Sequence, residues 1–135
     1  MPIETKGLCP LLQVFDMPTS VRFYRDILEF APVANAPLRA PDEFGWCLLR
    51  RSDGTELMLN TAYDYGERPP EPDTARVSAH GDTCLYFGCP DVDGAYRHLI
   101  EKGLKVDAPK VAWYGMKQLY LKDPDGFGIC FQWRA

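Results

Sequence analysis

Short apolar runs separated by turn residues organise the chain, and the runs come in two sets. Residues 8–15 (LCPLLQVF) are apolar and rich in β-formers up to Asp16, which predicts a strand. In the following segment, DMPTSVRFYRDILEF, Val21, Tyr24 and Leu28 recur at helical spacing and predict a helix over about 18–28 with one buried stripe. Asp16 stands where its side chain can accept a first-turn backbone N–H, and Pro18 where a missing N–H does no harm. The stretch APVANAPLRAPDEF supplies one short edge strand at most, because proline cannot donate to a ladder. WCLLRRSDGTELMLN reads as a hairpin: apolar run, Ser-Asp-Gly turn, apolar run.

Residues 61–82 break the pattern with three prolines, several charges and few aliphatic side chains. They read as a linker or surface loop. Because long loops are often functional, a lid carrying Tyr63, Tyr65 and Arg68 stands beside the plainer reading of a solvated connection. The pattern then restarts. TCLYFGC is a strand, DVDGAYRHLIEKG a helix capped by Asp91 and ended by Gly103, LKV the start of another strand, and YGMKQLYLKDPDGFGICFQW a second hairpin.

This restart is an internal repeat. Each half runs strand, Asp-capped helix, weaker strand, then a hairpin with Asp-Gly in its turn, Asp53-Gly54 in the first and Asp125-Gly126 in the second. One module covers one face of its sheet with its helix and leaves the other bare. Two such modules predict an α+β protein of two βαβββ units, about 5–62 and 80–135, joined by loop 61–82 into one domain over 1–135. Their curved mixed sheets would enclose a cleft.

Composition narrows the partners. The chain has 135 residues, 46% hydrophobic and 25% charged, with a formal charge of -4 and pI near 5.1. That balance argues against a nucleic acid or an anionic membrane as partner, since either needs a basic face. No apolar run of ~18 residues is present, and MPIETKGLCPLL lacks the plan of a signal peptide. Five cysteines without CxxC spacing point to free thiols in a reducing compartment, so a cytoplasmic location is expected.

The stretch CPLLQVFDMPTSVRFYRDILEF, followed by ELMLN, CLYFGCPDVDGAYRHLIEKG and DPDGFGICF, is similar to the vicinal-oxygen-chelate superfamily. That group holds glyoxalase I, bleomycin-resistance proteins, extradiol dioxygenases and several isomerases and lyases. The resemblance covers nearly the whole chain and implies paired βαβββ modules assembled as a homodimer. It leaves the function open, since this fold hosts several chemistries.

In metal-using members, the resemblance implies four ligand positions, one on each first strand and one on each last strand. Here they fall on Cys9, Glu56, Cys84 and Cys130, not the usual His, Gln or Glu set. Two readings stay open: a soft site for zinc or a similar divalent metal, or cysteine as a small buried hydrophobe after loss of the metal. Glu56 alone would serve as a general base or as an acceptor for a cationic ligand.

Alternation along the strands places Leu11 and Gln13 with Cys9, Met58 with Glu56, Tyr86 with Cys84, and Gln132 with Cys130, while Gln118 and Tyr120 line the seventh strand. Leu119 and Leu121 then pack against helix, and Trp46 and Trp113 stand near strand ends where they could flank a ligand. His98 is expected on the helix surface, and His80 in the loop before the fifth strand. The reading adopted is a metal-free protein of the bleomycin-resistance type that sequesters a small aromatic or cationic compound. Its rival is a glyoxalase-type lyase or isomerase, using Glu56 as base or a metal held by the four residues above. An extradiol dioxygenase fits least, because the two-His-one-carboxylate iron set is missing.

Overall fold

Leu11–Val14 form the first strand, β1, and Met17–Arg22 the first helix, α1, followed by β2 (Ala31–Pro37), β3 (Phe44–Arg50) and β4 (Glu56–Thr61). These elements lie in the first of two units, Met1–Pro70, of a computed structural model that describes residues 2–37, 44–63 and 66–135. The second unit, Glu71–Ala135, holds α2 (Thr74–His80), β5 (Cys84–Gly88), α3 (Val92–Glu101), β6 (Lys110–Val111), β7 (Met116–Lys122) and β8 (Gly128–Arg134). The fold is α+β, with a four-stranded mixed sheet in each unit.

The two sheets repeat one topology. Strand order is β1-β4-β3-β2 in the first unit and β5-β8-β7-β6 in the second. In both, the first strand runs parallel to the last, and the remaining pairs are antiparallel. A parallel pair cannot be joined by a tight turn, so the helix provides the crossover.

Strand alternation sorts each sheet into two faces. In the first unit Leu12, Val14, Cys47, Leu49, Leu57 and Leu59 are buried on the helix-covered face. Met17, Val21, Tyr24 and Leu28 bury the matching helix stripe, and Tyr24 meets Phe23 and Phe30 edge-on. In the second unit Leu119, Leu121, Ile129 and Phe131 are buried on the corresponding face, with Val92 and Leu99 of α3. Burying side chains of this kind supplies about 1.5–3 kcal/mol each before entropy is set against it.

Several expectations need correction. The first strand is shorter than 8–15: Pro10 accepts a bond from the Met58 N–H but has no N–H to give, and Cys9 lies ahead of the ladder. The expected helix 18–28 is regular only as α1. It then widens into a π-type turn over Phe23–Ile27, closed by the Leu28 N–H on the Phe23 carbonyl. Asp16 occupies the N-cap position without capping it, for its carboxylate accepts from the Thr19 hydroxyl (2.6 Å) and pairs with Arg68 (3.0 Å).

Segment 61–82 is not loop throughout, since Asp73 accepts the N–H groups of Ala75 and Arg76 and starts α2. LKV (104–106) forms no strand. The Leu104 N–H is spent on the Leu99 carbonyl at the end of α3, beside left-handed Gly103, and pairing resumes only at β6.

Candidate functional site

Each sheet leaves one face without a helix, and the register shows which residues share it. Arg50 and Glu56 close the first hairpin, and Lys122 and Gly128 close the second. Two pairs further on, Leu48–Met58 corresponds to Tyr120–Cys130, and two beyond that Trp46–Asn60 corresponds to Gln118–Gln132. The parallel ladders agree independently, with Leu11 opposite Met58 and Tyr86 opposite Cys130.

This corrects the expected donor set. Glu56 and Cys130 are not copies of one position. Glu56 corresponds to Gly128, and Cys130 to Met58, so the set is not a ligand pair repeated twice. A side chain at 128 would also lie 3.2 Å from the Cys84 sulfur. Among the described residues of either unit, no three His, Cys, Asp or Glu side chains come together as a metal would require. Burial, then the Glu56 carboxylate, raises the Cys9 thiol pKa. Burial likewise holds Cys84 and Cys130 protonated, although hydrogen bonds to Tyr86 and Tyr120 respectively oppose it. Thiolate ligation would have to overcome that cost.

Glu56 is half-buried and committed. One of its oxygens accepts from Arg50 Nε (3.0 Å) and Nη2 (2.8 Å) across the strand pair. Arg50, absent from the expected site, was findable, since it and Glu56 flank the Asp-Gly turn where a cross-strand pair is predicted. Beyond them Leu11 and Met58 share a register pair, and the Asn60 amide donates to Gln13 Oε1 (3.4 Å) on the face that also carries Trp46.

The second unit's open face is aromatic and amide-rich. Tyr86 and Tyr120 remain 53% and 47% exposed, their hydroxyls 3.0 Å apart and their rings edge-on at 6.2 Å. Hydrogen bonding to Tyr86, with burial and Cys130 adding, pushes the Tyr120 pKa well up and keeps that phenol protonated. The Gln118 amide donates to the Tyr114 hydroxyl (2.7 Å) and to Gln132 Oε1 (2.9 Å). Tyr114 in turn meets Trp113 edge-on; Trp113 sits in the turn before β7 and is 95% exposed. Tyr114 was also missed, though its place in AWYGM beside Trp113 marked it.

Other expected contributors have structural tasks. His80 ends α2, stacks on Phe127 at 3.9 Å and lies 2.7 Å from the Asp125 carbonyl through Nδ1. It therefore anchors α2 to the β7–β8 turn. Arg68 pairs with Asp16 and lies over the Phe15 ring. Tyr63 is half-buried, Tyr65 lies outside the described residues, and His98 sits half-buried in the last turn of α3. Among the described residues no helix is long and apolar enough to cross a membrane.

Comparison with known proteins adds family and fold. The sequence profile of the Glyoxalase/Bleomycin resistance protein/Dioxygenase superfamily matches residues 9–131. No curated protein sequence matches the chain. Among solved structures, TnmS3, an antibiotic binding protein from Streptomyces sp. CB03234, is 25% identical with a TM-score of 0.71, covering 100% of this chain and 99% of that one. A bleomycin resistance determinant encoded on the transposon Tn5 is 22% identical with a TM-score of 0.67, over 96% of this chain and 98% of that one. TioX from Micromonospora sp. ML1 is 14% identical with a TM-score of 0.72, over 97% and 100%.

Proposed function

The chain belongs to the Glyoxalase/Bleomycin resistance protein/Dioxygenase superfamily, and from that premise we propose that it binds and sequesters a small aromatic molecule without transforming it. One observation carries this reading: the open face of the second sheet holds two large aromatic side chains, Tyr86 and Tyr120, about half exposed, while their shared register partner Cys130 is buried. Exposed rings fixed by their own hydrogen bond are a preorganised stacking surface, which lowers the entropy lost on binding. A mostly apolar surface with a few placed polar groups is what small-molecule sites need.

The reading extends to a metal-free homodimer in the cytoplasm. TnmS3, an antibiotic binding protein similar over its full length, supports the binding part of this reading. Catalysis by Glu56 has less support, because the Arg50 guanidinium already occupies one oxygen of the only carboxylate among the expected site residues.

The test is expression in a bacterium sensitive to aromatic DNA-damaging antibiotics, with drug recovered from the purified complex. Raised tolerance, stoichiometric complex and chemically unchanged drug are expected, from a protein that elutes as a dimer. Conversion of the drug to product would overturn the sequestration reading.

A further inference from the structure

We propose that the open face of the second unit is a hydrogen-bond-donor surface, selecting flat aromatic compounds with acceptor oxygens (quinone, carbonyl or carboxylate) over cationic ones, and that Gln118 sets this polarity. The inference rests on the binding reading above and names the chemistry of its ligand.

Gln118 is 8% exposed, and its amide nitrogen spends both protons on neighbours, one on the Tyr114 oxygen and one on Gln132 Oε1. Each neighbour is thereby engaged through its acceptor. The Tyr114 hydroxyl proton and the Gln132 amide protons are left without a partner among the described residues. Between Tyr86 and Tyr120 one hydroxyl donates to the other, and the second proton stays on a half-exposed phenol whose other neighbours are the Cys84 and Cys130 sulfurs, weak acceptors that a ligand oxygen outcompetes. Tyr86, Tyr114 and Tyr120 are 53%, 52% and 47% exposed and Gln132 is half-buried, so these donors stand where a ligand can reach them.

Charge points the same way. The strands β5, β7 and β8 contain no Asp or Glu. Lys122 and Arg134 occupy register positions of the open face at its two ends. A cation on this face would find ring quadrupoles but no carboxylate. An acceptor oxygen would meet several donors, and donors left unpaired by the wrong ligand would be penalised. The overall charge of -4 is carried elsewhere in the chain.

Three flat tricyclic probes separate the possibilities by calorimetry: neutral 2-(hydroxymethyl)anthraquinone, anthraquinone-2-carboxylate and cationic proflavine. Both quinones are expected to bind at least about tenfold more tightly than proflavine. Gln118→Glu can only accept, so it turns the Tyr114 and Gln132 donors inward and is expected to reverse that preference. Tyr114→Phe keeps the exposed ring and decides the matter if Gln118→Glu fails to fold; quinone affinity should drop about threefold to fivefold with proflavine unchanged. Proflavine binding as tightly as the quinones, or a quinone preference untouched by both substitutions, overturns the donor surface and leaves the binding reading intact. If no probe binds, the binding reading falls and the donor surface with it; if binding survives the double change Tyr86→Ala and Tyr120→Ala, the ligand lies off this face and the donor surface falls while the binding reading stands.

Discussion

Tyr86 and Tyr120 stand on strands that do not touch each other, yet their hydroxyls meet 3.0 Å apart across the strand between them. Cys130 is the register partner of both and is fully buried. The tyrosine bridge thus shields a thiol that belongs to the open face. Iodoacetamide should modify Cys130 slowly in the native protein. Tyr86→Ala or Tyr120→Ala should speed that reaction at least about tenfold, because access rises and the burial that chiefly raises the thiol pKa is relieved, which outweighs the loss of the bond from Tyr120. Peptide mass spectrometry of timed samples reads the rate, and an unchanged rate in both variants would refute the shielding.

Gly126→Ala should destabilise the second unit by about 1–3 kcal/mol. The residue has a φ of +88°, and a methyl there would sit 2.6 Å from the Val77 carbonyl of α2. Denaturant unfolding measures the loss. Hydrogen exchange should show α2 amides opening first, since that helix has no buried residue and is held by the turn and His80.

Burial pushes the Cys47 thiol up to about 11, against a weaker opposing pull from the Leu59 backbone. The folded state therefore keeps its proton where the unfolded chain, with a thiol near ~8.5, has lost it. The contribution is fully present below pH ~8.5 and is lost as pH rises toward about 11. Stability should fall over that window by up to about 1.4 kcal/mol per pH unit. Comparing denaturant midpoints with Cys47→Ala, whose curve should be flatter, isolates the thiol.

Glu56→Gln should leave ligand affinity within about threefold and stability within about 1 kcal/mol, because the Arg50 pair is partly exposed and such pairs contribute little. A loss of binding or of any measured turnover by two orders of magnitude would return Glu56 to the centre of the site.

Alternation and Asp-Gly turns made the strands and hairpins legible, because period-two burial is imposed directly by the pleat. The helix over 18–28 was legible as a stripe but not as a π-type turn, which depends on how Phe30 folds back to bond the Tyr24 carbonyl. The signal for α2 was present in Asp73-Thr74-Ala75-Arg76 and was outweighed by the prolines before it. The site was read two residues out of step in one half. Counting from the turn glycines Gly54 and Gly126 puts Glu56 level with Gly128, whereas counting from the family's ligand positions did not. The Tyr114–Gln118–Gln132 chain was not readable, since hydrogen-bond direction among neutral side chains leaves no trace in residue order.

Among the described residues every strand pair forms within one unit, so a cut between Pro70 and Glu71 would leave each strand its neighbour. Either half of the sequence thus encodes a full set of strand pairings for its own sheet. The two halves are therefore at liberty to differ at matching places, one carrying an acid, Glu56, where the other has no side chain at all, Gly128.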